Sequence, residues 1–109
     1  MAHLAFEKIA PGGVFIAETP NPQCLMVFAE SFYMDLTHQK PVHPLTLEFL
    51  LKQVGFAEAK LHYSAAADDL RIPPLVGQAS NLGEFNDAIE HLNNILFGFR
   101  DYAAIGIKR

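Results

Sequence analysis

Asp35, Thr37 and His38 lie in one four-residue stretch after a proline-bounded strand end. An imidazole titrating near neutrality can take a proton from a hydroxyl group. A neighbouring carboxylate and hydroxyl can hold a polar ligand, although Asp35 and Thr37 serve equally well to cap a turn. Asp35, His38 and His43 are also ordinary metal ligands by type. Their spacing fits no compact helical or hairpin ligand pair, and prolines interrupt the stretch, so no metal is expected. Upstream, Glu18, Thr19 and Asn21 end an apolar run and could line a pocket mouth. Thr19-Pro20-Asn21-Pro22 is also a good turn, with Asn able to satisfy nearby amides, and the residues favour that reading slightly. Cys24 has no cationic neighbour to lower its pKa and reads as a small buried hydrophobe. His62 falls on the polar side of an alternating run, and His3 and His91 have no evident partner.

The elements that position these residues follow from periodicity. Ala2–Ala10 reads as a short helix with Leu4, Ala5 and Ile9 on one face, stopped by Pro11-Gly12-Gly13. Val14–Thr19 is nearly continuous in apolar character, which predicts a strand covered on both faces. Gln23–Val42 holds Leu25, Met26, Phe28, Phe32 and Tyr33, enough for a short helix before a loop. A helix is expected from Pro44, with Leu47, Leu50, Leu51 and Val54 at helical spacing and Gly55 as cap. Glu58–Ser64 alternates as a half-buried strand, and residues 65–80, with Pro73-Pro74, read as a loop. Asn81 and Glu84 form a capping pair for a helix carrying Leu82, Phe85, Ile89, Leu92 and Leu96. Tyr102–Ile107 closes the chain as a strand. Helix, strand, helix, strand, helix, strand is the alternation of an α/β layered sheet.

Bulk properties exclude several classes. With 109 residues the chain is one small domain. A formal charge of -4 and no Lys/Arg cluster give no footing for nucleic acid or an anionic membrane. The nine Phe and three Tyr could stack on bases, but without a basic groove that reading fails; Phe85, Phe97 and Phe99 are expected to fill a core. One cysteine permits no intrachain disulfide, which suits a reducing cytoplasm. The N-terminus does not read as a signal peptide, and no apolar run is long enough to cross a bilayer.

Leu4 through Asn21, with its core Pro11-Gly12-Gly13-Val14-Phe15-Ile16-Ala17-Glu18-Thr19-Pro20-Asn21, resembles the helix, turn and fifth strand of class I S-adenosylmethionine-dependent methyltransferases. Phe32-Tyr33-Met34-Asp35-Leu36-Thr37-His38, followed by Pro41 and the helix to Gly55-Phe56, is similar to a type 11/12-like subgroup associated with glycan and O-antigen biosynthesis. Asp101-Tyr102-Ala103-Ala104-Ile105-Gly106-Ile107-Lys108 looks like the last strand of that fold. The resemblance spans nearly the whole chain. It implies a partial Rossmann-like α/β sheet of three strands with flanking helices, in the order five, seven, six, with the last strand antiparallel in the middle. It further implies methyl transfer to an oxygen of a sugar or similar small acceptor. On that basis Tyr33, Asp35, Thr37 and Asn21 would contact the acceptor, and His38 would be the catalytic base.

One departure from the family shapes the expectation. Its first strand ends in a glycine-rich turn that admits the cofactor, whereas Gly12-Gly13 here precedes a strand. Residues 1–109 therefore read as the C-terminal part of a methyltransferase domain without its N-terminal cofactor-binding half. No cofactor-binding residue is assigned. S-adenosylmethionine belongs to the intact family and is not expected on this chain alone, which is expected to be inactive. The alternative is a non-catalytic oligomerising or binding module derived from a methyltransferase, and a stand-alone metal-binding domain ranks third. A strand 14–19 without its usual neighbour would expose an apolar edge, so a homodimer or higher oligomer joined there is expected.

Overall fold

The computed structural model describes residues 2–37 and 40–109. Helix α1 spans Ala2–Lys8, and the Gly12-Gly13 turn leads into strand β1, Val14–Pro20. Helix α2 (Leu25–Glu30) and a 3-10 turn (Phe32–Met34) follow. Helix α3 is Pro44–Val54 and strand β2 is Glu58–Ala66. A second 3-10 turn, Asp68–Leu70, opens the long connection to helix α4, Leu82–Leu96, and strand β3, Phe99–Ile107, ends the fold.

The strands form a three-stranded sheet in the order β1-β3-β2. β3 is antiparallel to both neighbours, with Ala104 opposite Ala17 on one side and Leu61 on the other. The order and direction expected for the strands are those observed. β3 and β2 run longer than their sequence pattern predicts because Ala66 pairs with Phe99, a contact that neither segment announces alone.

α3 starts and stops as its residues dictate. Pro44 occupies the first turn, His43 Nδ1 accepts from the Leu45 N–H at 3.1 Å, and Gly55 adopts φ 120° while its N–H bonds back to Leu51 and Lys52. A side chain at Gly55 would strike the Phe6 ring as well as strain the backbone. α1 has seven residues, too few to persist alone. It is held by the ring of Phe6 edge-on to Phe56 and by Lys108 Nζ donating to Phe6 O at 2.6 Å. Together α1 and α3 cover one face of the sheet, where Leu51, Phe56, Tyr102 and Ala104 are buried. Gly106 lets the Phe56 ring lie against the strand, since a Cβ there would approach it to 2.8 Å.

The opposite face is different. Val14 and Ile16 pair with Ile107 and Ile105, yet they are 51% and 64% exposed. The expectation that β1 is covered on both faces is corrected here: its residues alternate because helices of this chain cover only one side. A second cluster of Cys24, Met26, Val27, Phe32 and Ala67 lies off the sheet, with Phe28 and Phe97 against it. α4 packs on α2 and on the connection that precedes it. Phe85 and Phe99, expected in the core, are each 45% exposed, whereas Phe97 does pack. Asn81 makes no side-chain cap, because its ψ of 12° lies outside the extended region an N-cap requires. The Cα radius of gyration is 18.1 Å with a longest extent of 61 Å, against about 13 Å for a typical domain near this length.

Candidate functional site

β1 and β2 run in the same direction with β3 between them, so their carboxyl ends lie together beside the start of β3. In open α/β sheets ligands bind beyond such ends. A cleft of about 360 Å³ opens there. Asn21 and Gln23 follow β1, Tyr63 and Ala66 belong to the end of β2, Asp68 and Arg71 follow it, and Asn94, Phe97, Gly98 and Phe99 line the side toward α4 and β3.

Asn21 is the sequence-assigned residue that reaches this cleft. Its side chain is buried and works within the fold: Nδ2 donates to Phe99 O at 3.0 Å and Oδ1 accepts from the Gln23 N–H at 3.1 Å. The turn reading made for it describes that geometry. Tyr33, Asp35 and Thr37 lie on an exposed segment outside the lining of the cleft. Asp35 Oδ1 accepts from the Thr37 N–H at 2.9 Å and from Thr37 Oγ1 at 2.6 Å. The Tyr33 ring stands edge-on to Phe32. His38 lies outside the described residues. Cys24 is buried, its thiol directed to Leu96 O at 3.3 Å. Among the described residues no group of three His, Cys, Asp or Glu is placed to hold a metal ion, and His43 Nδ1 is engaged in capping α3.

The cleft residues not anticipated are Gln23, Tyr63, Asp68, Arg71, Asn94 and Phe99. Tyr63 Oη donates to Gln23 Oε1 at 3.3 Å, and its ring packs 5.7 Å from that of Phe99. Arg71 donates to Phe97 O at 3.1 Å, to Asn94 Oδ1 at 2.6 Å and to Glu90 Oε1 at 2.5 Å, so its charge is paired within the wall. The position of Asp68 and Arg71 just after a strand end was the available signal. In the core that α1 and α3 cover, burial and the nearby Tyr63 push the Tyr102 phenol up to about 12, and Tyr102 Oη donates to Val42 O at 2.6 Å.

S-adenosylmethionine, the cofactor implied by the sequence resemblance, requires a turn through which backbone approaches it closely. Gly98 lines the cleft, but it stands just before β3 and not in a turn that follows the carboxyl end of β1 or β2. Gly12 and Gly13 sit at the amino end of β1, away from the cleft, and Asn21-Pro22 and Ala67-Asp68 follow β1 and β2. Among the described residues no glycine-rich turn follows β1 or β2 to admit the cofactor.

The sequence matches no family model. No curated protein matches it either. The sheet order and the cleft at its carboxyl edge define a methyltransferase-like α/β fold. The chain is similar to the crystal structure of a SAM-dependent methyltransferase from Archaeoglobus fulgidus, at 35% sequence identity and a TM-score of 0.83. The alignment covers 99% of this chain and 50% of that one, so the chain spans about half the length of the structure it matches. Among the described residues no helix is long and apolar enough to cross a membrane.

Proposed function

We propose that this chain is the C-terminal, acceptor-side part of an S-adenosylmethionine-dependent methyltransferase of the cytoplasm, acting on an oxygen of a sugar or similar small acceptor. The observation that carries the reading is the β1-β3-β2 sheet with its antiparallel middle strand, superposing over 99% of the chain on a SAM-dependent methyltransferase at 35% identity. When bound, the cofactor supplies an activated methyl group. This chain's own part is to hold the acceptor at the cleft edge, where orientation provides much of the rate of a direct displacement. Of the acceptor contacts that the resemblance implies, Asn21 lines the cleft; Tyr33, Asp35 and Thr37 would reach the acceptor from the exposed segment outside that lining, and His38 would take the hydroxyl proton. The cradle for the cofactor comes from further polypeptide, and the chain alone is inactive.

Calorimetric titration of the purified chain with S-adenosylmethionine tests this division of labour. No heat is expected. Micromolar binding would overturn it. Co-purification with the polypeptide encoded directly upstream should restore both binding and methyl transfer to hydroxyl acceptors, with the His38→Ala variant slower.

A second reading has its own observation. The unpaired edge of β1 and the bare Val14–Ile16 face favour a non-catalytic module that oligomerises through strand 14–19. Under that reading the upstream polypeptide confers no transferase activity, while the chain still self-associates.

A further inference from the structure

We infer that the cleft between the carboxyl ends of β1 and β2 is a recognition site for a small, neutral, hydroxyl-bearing ligand with one apolar face, with Asp68 as its principal hydrogen-bond acceptor. The inference rests on the preceding reading only for the ligand's role as acceptor.

The fold leaves a few hydrogen-bonding groups of the cleft unused. Asp68 is exposed in the cleft, and its carboxylate has no hydrogen bond or ion pair with the described residues. A carboxylate only accepts, so its partner must donate. Gln23 uses Oε1 to accept from Tyr63, and Asn94 uses Oδ1 to accept from Arg71. The amide nitrogens of both side chains therefore remain as donors at the same cleft. One acceptor and two amide donors match hydroxyl groups, which both donate and accept. The Tyr63 and Phe99 rings form the apolar side of the cleft, and an aromatic surface takes the flat apolar face of a ligand.

Charge sets the rest of the selectivity. An anion would meet Asp68 directly, while Arg71, the cation of the wall, is already paired with Glu90 at 2.5 Å. A cation would leave the Gln23 and Asn94 donors without partners and sit beside the Arg71 guanidinium. A neutral hydroxyl ligand satisfies every group. Glycosides and phenols share this chemistry, and the experiment separates them.

The test is amide chemical-shift mapping on the isotope-labelled chain without any methyl donor, so that its outcome is independent of transferase activity. The probes are methyl β-glucopyranoside, catechol, glucose 6-phosphate and tetramethylammonium. One or both neutral probes should shift the amides of Gln23, Asp68, Gly98 and Phe99, and the tighter of the two identifies the ligand class. Asp68→Asn should weaken that binding about tenfold, the scale of a hydrogen bond to a charged group. Gln23→Ala should weaken it about threefold. Both positions are exposed, so the variants fold. Equal or tighter binding of the phosphate or the ammonium probe, shifts confined to other regions, no cleft shifts with either neutral probe, or an unchanged Asp68→Asn affinity would each overturn the assignment.

Discussion

Tyr102 carries more of the fold than its size suggests. It is fully buried in the middle strand, and its hydroxyl reaches across to Val42, a residue 60 positions away. Because its pKa is raised to about 12 in the folded state, the neutral phenol is the form that the fold favours. The resulting stability is fully present below about pH 10 and is lost as pH rises from there through about 12, amounting to about 3 kcal/mol. Urea unfolding at neutral pH and at about pH 11 should show this alkaline loss. In Tyr102→Phe the loss should shrink, while neutral stability falls by about 1 kcal/mol because the Val42 carbonyl loses its donor. An unchanged alkaline slope in the variant would show that another group is responsible.

At the scale of elements, α4 and the segment before it depend on each other. Pro73 and Pro74 have no N–H to offer, so the backbone bonding of this segment falls to the flanking residues. Asn93 Oδ1 accepts from Ile72 N at 2.8 Å and its Nδ2 donates to Ile72 O at 2.9 Å. Asn86, two helical turns earlier on the same face, does the same for Leu75 at 2.9 and 3.0 Å. The two amides act as a surrogate strand partner for a stretch that no strand pairs. Asn93 is buried and Asn86 only partly so, so they should differ in effect. Asn93→Ala should cost about 2 kcal/mol and Asn86→Ala less than about 1 kcal/mol. In Asn93→Ala, hydrogen exchange at Ile72 should accelerate first. Slow exchange there would mean that the clamp is dispensable. Arg71 adjoins this clamp, so the wall of the cleft depends on it too.

For the molecule as a whole, the unfinished features lie together. Among the described residues β1 has no neighbour on its outer edge, and one face of the sheet shows Val14 and Ile16 to solvent. Apolar strand edges of this kind pair with other chains. Sedimentation should find the chain as a dimer or larger species at micromolar concentration. Ile16→Lys should shift it toward monomer without unfolding it, since the position is already exposed. A wild-type chain that stays monomeric at high concentration would remove this interface.

Local residue chemistry was enough to read the helices and strands in order. Pro44 and Gly55 bound α3, and the alternation from Glu58 marks β2, because proline, glycine and apolar periodicity act over a few residues. The middle position of the last strand was legible through resemblance, not through periodicity. Tertiary structure decided the rest. Asn81 has the right type for a cap and the wrong backbone angle; β1 reads as doubly covered, but helices reach only one of its faces. The cleft draws on residues from Asn21 to Phe99, whose proximity exists only because β3 threads between two parallel strands. Their place just after a strand end marks Asp68 and Arg71 as edge residues, but not which residues they meet, since the pairing that brings those together is made by backbone far along the chain.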